Sequence, residues 1–311
     1  MASPKRGSNL HSYHALRTPS VLTPVASPPI VHLFGLSDIG KHRQTNEDAW
    51  WAGQLAGRFC SSEKPGDATS FRCTDLPVVA MVSDGVGGAN AGEVASQMAI
   101  TGIPKFLATR QDALADAATA QATVREALLS AHGAIKVLSA QPSLNGMCTT
   151  VSVLCLAGGK LACWGQAGDS RIYFFRAGEL TQITPDHSPV GRMRQNGWIT
   201  EAEARCHPQR NQIDQSLGDP HNPFMPDLGV LEIQPADVFL ICSDGLSDGL
   251  WEKDIAQALK RIRHPADVKP ITQELVEAAK NASGRDNITA VLVLVDVSQP
   301  PPFLPGNPGS S

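Results

Sequence analysis

This 311-residue sequence has few aromatic residues, no excess of positive charge and no long apolar run. Aromatic residues make up 5% of the chain, and its 26 Lys and Arg face 30 Asp and Glu, for a formal net charge of −4. A protein that binds nucleic acid by neutralising phosphates needs the opposite balance, so we expect no nucleic-acid partner. No apolar stretch reaches the roughly 18 residues of a transmembrane helix, so we also expect no membrane span.

The seven cysteines are odd in number and form no C-x-x-C pair. Four of them stand in apolar, strand-like runs, at Cys148, Cys155, Cys163 and Cys242. Buried free thiols in a reducing compartment explain this pattern better than a disulfide framework. Because the sequence shows neither a secretory signal nor a lipidation motif, we expect a cytoplasmic location.

Residues 30–297 have the pattern of a single folded domain between two segments of biased composition. The arm at 1–29 is rich in Pro, Ser and Thr and the tail at 298–311 is rich in Pro, which predicts disorder in both. Strand-like runs lie at 30–37, 77–83, 148–184, 237–243 and 288–297. Helical spacing of apolar residues predicts helices at 91–110, 111–140, 251–264 and 268–281. This mixture of strands and helices, without strict alternation, predicts an α+β fold with largely antiparallel sheets.

Acidic residues stand at the ends of several strand-like segments, each close to Gly, Ser or Asn. They are Glu47 and Asp48 in RQTNEDAW, Asp84 in SDGVGG, Asp169 in AGDSR, Asp244 in CSDGLSDG and Asp286 in GRDN. At any one position, a turn in which Asp satisfies its own backbone is the simpler explanation. Strand ends converge at the rim of a sheet, however, where gathered carboxylates repel one another unless a cation neutralises them. Five such motifs together therefore favour a shared cation site.

The residue types around these turns favour a hard cation and a phosphate. Oxygen ligands without a His/Cys cluster suit Mg²⁺ or Mn²⁺ better than zinc. Arg43, four residues before Glu47, adds a guanidinium, which can hold a phosphate through two N–H groups. The glycine-rich turn lacks the spacing of a nucleotide-binding loop, and no nucleophile motif is found. The pattern indicates attack on a phosphoester by metal-bound water, with two ions sharing a hydroxide.

Five motifs in this order resemble the metal-dependent Ser/Thr protein phosphatases of type 2C, and most of all their compact bacterial branch. The motifs are SDIGKHRQTNEDAW, VSDGVGGANAGEVAS, AGDSRIYFFRAGELTQIT, CSDGLSDGL and GRDNITAVLVLV. The similarity spans about residues 31–297. It implies a four-layer α-β-β-α sandwich with two central antiparallel sheets, a metal cleft at one end and a flap at about 185–228 beside the cleft.

The resemblance also implies a role for each matching residue. Arg43 and Asp84 would be the central catalytic residues, since Arg43 would bind the phosphate and Asp84 would bridge two core Mn²⁺ or Mg²⁺ ions. The other metal contacts would come from Glu47, the Gly85 carbonyl, Asp169, Asp244 and Asp286. Of these, Asp169 would serve a third, weaker ion. Asp48 and Asn287 would stand behind the ligands and support them.

The implied activity is hydrolysis of phosphoserine and phosphothreonine in proteins by a metal-bridging hydroxide. Phosphorylated proteins would be the substrates and a separate Ser/Thr kinase the opposing enzyme, and we expect a monomer. Val86 stands where many eukaryotic members have a histidine proposed as general acid, so the leaving oxygen must take its proton from elsewhere. His42 and His187 are conceivable donors, although an ordinary surface or turn histidine is the simpler interpretation of each.

Two alternatives stay open at this point. One is a non-catalytic scaffold of the same fold that binds phosphoproteins, and such a protein should have lost a metal ligand. The other is a phosphohydrolase that acts on small molecules. No expected ligand is missing from the sequence, and an open rim suits a protein substrate, so both are secondary to the protein phosphatase.

Overall fold

The computed structural model describes residues 29–64, 66–73, 76–86 and 91–296. The predicted tail and all of the predicted arm except Pro29 lie outside these ranges, as do Gly87 and Gly88 of the glycine-rich turn. None of the helices in the described ranges has both the length and the apolar character that a bilayer span requires.

Two antiparallel sheets form the centre of the molecule. The strands of the first sheet are β1 (Ile30–Asp38), β4 (Thr69–Arg72), β9 (Arg171–Arg176), β10 (Glu179–Gln182), β12 (Val238–Cys242) and β13 (Ile288–Asp296). Those of the second are β2 (Asp48–Gln54), β3 (Phe59–Ser61), β5 (Val78–Val86), β6 (Cys148–Thr149), β7 (Val151–Ala157), β8 (Leu161–Ala167) and β11 (Asp227–Glu232). Their spatial orders are β10-β9-β12-β13-β1-β4 and β11-β8-β7-β5-β2-β3, and β6 pairs with β5.

Helices cover the outer face of each sheet. The second sheet packs against α1 (Ala91–Ala108) and α2 (Ala117–Ser139). Between β10 and β11 lie two short helices, α3 (Pro189–Gln195) and α4 (Glu201–Arg205). The first sheet packs against α5 (Asp244–Gly249), α6 (Glu252–Leu259) and α7 (Val268–Ala282). The layers therefore follow the order helix, sheet, sheet, helix, and the predicted α+β sandwich is confirmed.

Strand β12 shows why the central strands are apolar throughout. Leu240 and Cys242 pack toward the helices on the first sheet, whereas Phe239 and Ile241 pack between the two sheets. Side chains alternate between the faces of a strand, so a strand covered on both faces needs an apolar residue at every position. All five residues of β12 are buried. Strands held in this way fix the residues at their ends, which is where the predicted site residues stand.

Two predicted helices differ from their expected bounds by more than two residues. The helix expected at 111–140 begins at Ala117, because the side chain of Asp116 accepts hydrogen bonds from the backbone N–H groups of Ala118 and Thr119 and so caps it. The helix expected at 251–264 ends at Leu259. Pro265 holds the residue before it in an extended conformation, which prevents the helix from continuing into the next one.

The predicted flap, residues 185–228, occupies most of the chain between β10 and β11. Strand β10 is an edge strand of the first sheet, and β11 is an edge strand of the second. Within the flap, Thr200 and Glu203 form the reciprocal capping box that begins α4, as their spacing predicts. The chain therefore leaves the sandwich at one sheet edge and returns at another, without interrupting either sheet.

Candidate metal centre

The strand register brings the predicted acidic residues to one end of the sandwich. Asp48 opens β2 and is paired across the second sheet with Asp84 of β5. In the first sheet, Asp244 follows the end of β12 and Asp286 precedes the start of β13, which is the adjacent antiparallel strand. Asp169 lies in the turn from β8 to β9, which links the two sheets at this same end.

These carboxylates lie close enough to change one another's ionisation. Burial raises the pKa of Asp84 well above its usual value, and the charges of Asp48 and Asp244 raise it further. The pKa of Asp244 is also raised well above its usual value, mainly by burial and next by the charge of Asp169. The pKa of Asp169 is raised to about 7, again mainly by burial. Such mutual repulsion makes this end of the sandwich a place where a cation is stabilised.

The donor set fits a hard divalent cation. The Oδ1 atoms of Asp48 and Asp244 are buried and have no hydrogen-bond partner among the described residues. Within the same ranges, no three His, Cys, Asp or Glu side chains are arranged as a complete metal site. Mg²⁺ usually keeps several waters and takes one or two carboxylates, whereas structural zinc requires four protein ligands. A dispersed set of carboxylates therefore suits an Mg²⁺-like ion.

Asp48 is buried and hydrogen-bonded beside the predicted ligands. It is 3% exposed, and its Oδ2 accepts a hydrogen bond of 2.7 Å from the hydroxyl of Ser243, the residue before Asp244. Burial raises the pKa of Asp48 to about 6. Asp48 therefore connects β2 of the second sheet to the start of α5, a helix that covers the first sheet.

Asn287 has a wider role than the predicted orientation of the last ligand. Its backbone N–H donates to Oδ1 of Asp286 at 2.8 Å. Its side-chain Oδ1 accepts the backbone N–H of Glu47 at 2.8 Å, and its Nδ2 donates to the carbonyls of Ile39 and Thr45 at 3.0 Å each. The backbone of Asn287 therefore positions Asp286, and its buried side-chain amide positions the loop that carries Glu47.

Arg43 lies beside this group, at the rim of the cleft. Its Nη2 is 2.7 Å from Oδ2 of Asp286, and its side chain is 47% exposed. The hydrogen bond with Asp286 raises the pKa of Arg43, so the guanidinium is charged. Burial raises the pKa of Glu47, although the charge of Arg43 opposes this. A half-exposed guanidinium next to the carboxylates is well placed to meet an incoming phosphate.

Gly85 is required by close packing of the backbone. A Cβ atom at this position would lie 2.2 Å from the carbonyl oxygen of Gly92 at the start of α1 and 2.8 Å from that of Glu47. The backbone N–H of Gly85 donates to the Glu47 carbonyl at 3.1 Å. Any larger residue would separate β5 from the two segments that flank it, whether or not the Gly85 carbonyl contacts a metal.

His187 has the structural role that the simpler interpretation assigns to it. The ring is 8% exposed, and Nδ1 accepts the backbone N–H of Gly168 at 3.3 Å. Nε2 therefore carries the proton and lies 2.8 Å from Oδ2 of Asp227. Both ring nitrogens are engaged, which leaves no proton for a leaving group.

Val86 is the last residue of β5 and is 39% exposed, and His42 is exposed.

Sequence reasoning missed the residues that hold Asp84 in place. The hydroxyl of Thr149 and the backbone N–H of Thr150 each donate to the Asp84 carbonyl at 2.8 Å. The hydroxyl of Thr150 accepts the backbone N–H of Asp84 at 3.0 Å. The signal that could have found them is a pair of hydroxyl residues at the start of the apolar run CTTVSVLCLA, at the strand end that meets the site.

A cleft of about 60 Å³ lies between the carboxylates and the flap. Asp169 and Asp244 line one side of it, and α3 and α4 line the other. Arg171 and Asp186 form a largely buried pair at its edge, with two hydrogen bonds of 2.8 and 2.6 Å. This pairing joins β9 to the first residues of the flap and neutralises one acid that would otherwise add to the carboxylate group.

The fold of this chain is similar to the folds of solved bacterial serine/threonine phosphatases. The structure from S. agalactiae is 30% identical, with a TM-score of 0.71, and the match covers 86% of this chain and 100% of that one. The solved catalytic domain of PstP, in complex with two manganese ions, is 32% identical, with a TM-score of 0.64, covering 86% and 99% of the two chains. A family model described as Protein phosphatase 2C matches residues 62–293. The chain belongs to the protein phosphatase 2C family.

Curated relatives agree with this assignment. Serine/threonine protein phosphatase PstP of Mycobacterium tuberculosis is 36% identical over 229 residues, which are 72% of this chain but only 42% of that protein. This chain therefore spans less than half the length of PstP. A putative protein phosphatase 2C-type of Streptococcus pyogenes is 35% identical over 257 residues, which are 83% of this chain and 94% of the relative.

Proposed function

We propose that this chain is a metal-dependent protein serine/threonine phosphatase that hydrolyses phosphoserine and phosphothreonine in proteins. The observation that carries the proposal is the group of carboxylates at one end of the sandwich, where Asp84, Asp169 and Asp244 have raised pKa values beside the guanidinium of Arg43. Family membership supports the reaction, and the two manganese ions in PstP support manganese as a cofactor.

The residues that would hold two core ions are Glu47, Asp84, the carbonyl of Gly85, Asp244 and Asp286, with Asp169 available to a third. When bound, such ions lower the pKa of water and act as Lewis acids toward the phosphate oxygens. The chain itself supplies rigid placement: β5 and the Thr149 and Thr150 contacts fix Asp84, and Asn287 fixes Asp286. Asp48 holds the start of the helix that carries Asp244.

Arg43 would bind the phosphate and orient it for attack. In the described part of the chain it makes one ion pair, through Nη2 with Asp286, so further N–H groups of its guanidinium remain for a phosphate oxygen. A planar cation with several donors suits a tetrahedral phosphate better than a lysine does. The proton for the leaving oxygen would come from water at the site, since Val86 has no acidic group and both nitrogens of His187 are engaged.

We further propose that the substrates are phosphoproteins made by a separate Ser/Thr kinase, and that the enzyme is a cytoplasmic monomer with the phosphatase domain at 30–297. The open rim between the carboxylates and the flap favours a phosphorylated loop over a small molecule. A non-catalytic scaffold is not favoured, because every position at which the family places a metal ligand carries an oxygen donor.

The test is hydrolysis of a phosphothreonine peptide by the full chain with Mn²⁺, with excess chelator and after Asp84→Asn. We expect phosphate release that depends on Mn²⁺ and that falls at least about 100-fold in the variant, because an amide lacks the negative charge that the carboxylate would offer to a cation. Activity that survives both the chelator and the substitution would overturn the proposal. Faster hydrolysis of small phosphoesters than of peptides would favour the small-molecule alternative instead.

A further inference from the structure

The helix α5 is a six-residue segment that has Asp244 as its first residue. Since Oδ1 of Asp244 is buried without a hydrogen-bond partner among the described residues, its carboxylate is not held in place through that oxygen. The position of Asp244 is therefore set by the backbone of α5. Whatever fixes the two ends of this helix also fixes the predicted metal ligand.

The beginning of α5 is held from inside the sandwich. Ser243 donates its hydroxyl proton to Asp48 at 2.7 Å, and the same hydroxyl oxygen accepts the backbone N–H of Thr289 at 3.0 Å. At Gly245, a Cβ atom would lie 2.0 Å from the carbonyl oxygen of Asn287, so the helix lies directly against the turn that carries Asp286. These contacts come from β2, from β13 and from the turn before β13, so both sheets hold this end of the helix.

The end of α5 is held from the flap, by Arg205 of α4. Its Nη1 donates to the carbonyl of Asp248 at 2.9 Å and its Nη2 to that of Ser247 at 2.7 Å, with a further contact from Nη2 to the carbonyl of Leu250. The last carbonyls of a helix have no partners within the helix, and a cation is favoured near them. Arg205 therefore caps α5 from a different part of the chain.

The Arg205 guanidinium is itself fixed on its remaining sides. Glu201, one turn earlier in α4, accepts from its Nη2 at 2.9 Å and also accepts the backbone N–H of Glu252 at 3.2 Å. The guanidinium lies 4.4 Å from the ring centre of Trp251, and its side chain is only 18% exposed. A second ion pair joins Arg194 of α3 to Glu252, the first residue of α6, at 2.5 Å. Both flap helices are thus joined to the corner between α5 and α6.

We infer that Arg205 is a positioning residue that couples the flap to the metal centre by holding α5, and through α5 the carboxylate of Asp244. This inference rests on the proposed function, because it assigns Asp244 to a metal. A flap that moves away from the corner between α5 and α6 withdraws the cap from α5 and loosens Asp244. Docking of the flap and the affinity for the metal therefore change together.

The experiment compares Arg205→Ala and Arg205→Lys with the wild-type full chain by calorimetric titration with Mn²⁺ in the absence of substrate. We expect Arg205→Ala to weaken Mn²⁺ binding by about 10-fold, which is the usual cost of losing an outer residue that orients a metal ligand. Lysine keeps the charge but not the planar set of donors, so the Mn²⁺ affinity of Arg205→Lys should lie between those of the wild-type chain and Arg205→Ala.

Arg176, the last residue of β9, offers a matched control. It lies in the first sheet at the end opposite to Asp244. Like Arg205, it binds a carboxylate through two N–H groups, donates to a backbone carbonyl and lies over an aromatic ring, here with Asp237, Glu232 and Phe174. Arg176→Ala should lower thermal stability to a similar degree and leave the Mn²⁺ affinity unchanged. Equal effects of the two alanine variants on Mn²⁺ affinity would overturn the inference, as would wild-type affinity in Arg205→Ala.

Hydrogen exchange of the chelator-treated proteins separates this inference from the proposed function. We expect faster exchange of the amides at 244–250 in Arg205→Ala than in wild type and Arg176→Ala, because the C-terminal cap of α5 is lost. If the wild-type chain binds no Mn²⁺, the proposed function fails and exchange still decides whether Arg205 holds α5. Unchanged exchange in this segment would overturn the inference independently of any metal.

Discussion

Two aspartates stand at opposite ends of β12 and differ in how the protein treats their charge. Asp237, before the strand, is fully buried, yet it accepts two hydrogen bonds of 2.7 Å from Arg176 and one of 2.6 Å from the backbone N–H of Gln234. Asp244, after the strand, has a buried oxygen without any partner in the described part of the chain. The protein compensates the first charge internally, and under the proposed function an external cation compensates the second. We therefore assign stability to one end of the strand and function to the other.

The sharpest test of this contrast is Asp244→Asn beside Asp237→Asn. We expect Asp244→Asn to lower kcat/KM for a phosphothreonine peptide at saturating Mn²⁺ by at least about 100-fold, since a charged oxygen donor is lost from the metal centre. Asp237→Asn should keep activity within about 3-fold, because it lies at the far end of a strand about 17 Å long. Comparable losses of activity in both variants would abolish the distinction.

The same pair should reverse its order when stability is measured. Asp237→Asn leaves the Arg176 guanidinium without its counter-charge, and breaking a buried ion pair of this kind costs about 3 kcal/mol in the free energy of unfolding. Asp244→Asn removes a repelling charge, so the chelator-treated variant should be at least as stable as wild type. Urea unfolding of both variants in the presence of chelator gives the comparison, and a larger loss in Asp244→Asn would contradict it.

The smallest expected effect is a dependence of stability on pH when the metal is removed. The pKa values of Asp84, Asp244 and Asp169 are raised by folding, that of Asp169 to about 7, so the folded protein retains protons that the unfolded chain releases. The contribution of these three groups to the free energy of unfolding is therefore fully present below the ordinary carboxyl pKa, near 4. It is lost as the pH rises through the raised pKa values. We expect the chelator-treated protein to melt about 3–6 °C lower at pH 8 than at pH 5.

Mn²⁺ should remove most of this loss, because a bound cation stabilises the charged carboxylates. The measurement is the melting temperature at both pH values, with chelator and with Mn²⁺, for wild type and for Asp244→Asn. With chelator, the melting temperature of Asp244→Asn should decrease less between pH 5 and pH 8 than that of the wild-type protein. A chelator-treated wild-type protein that melts higher at pH 8 than at pH 5 would show that repulsion at this end of the sandwich is not significant.

The carboxylates could be predicted from the sequence because each follows or precedes an apolar strand within a few residues. Asp84 and Asp244 stand directly after such runs, and the antiparallel register then brings both to one end of the sandwich. The layers could be predicted for the same reason, since strands that are apolar on both faces require cover on both. Element ends were less predictable where one side chain decides them, as Asp116 does for α2.

The remaining features depend on contacts between distant parts of the chain. Nothing in the sequence near Arg205 indicates that its partners are carbonyls more than 40 residues away. Nor does the sequence show that Arg176 would neutralise Asp237 while no arginine of the described residues pairs with Asp244. The same holds for Asn287, whose amide binds a loop 240 residues earlier in the chain. Local patterns identify residues that belong to the site, whereas only the folded chain shows how they are held.

The position of the flap between two edge strands has a consequence for how this sequence can diversify. Helices α3 and α4 belong to neither sheet, whereas Leu217, later in the flap, is buried in the core and pairs with Thr149. Insertions, deletions or a grafted segment should therefore be tolerated by the core at α3 and α4 but not around Leu217. A graft that lacks an arginine at the place of Arg205 would fold and still leave α5 uncapped. This part of the flap can therefore be exchanged as a module, provided that the new module carries its own attachment to the helix beneath it.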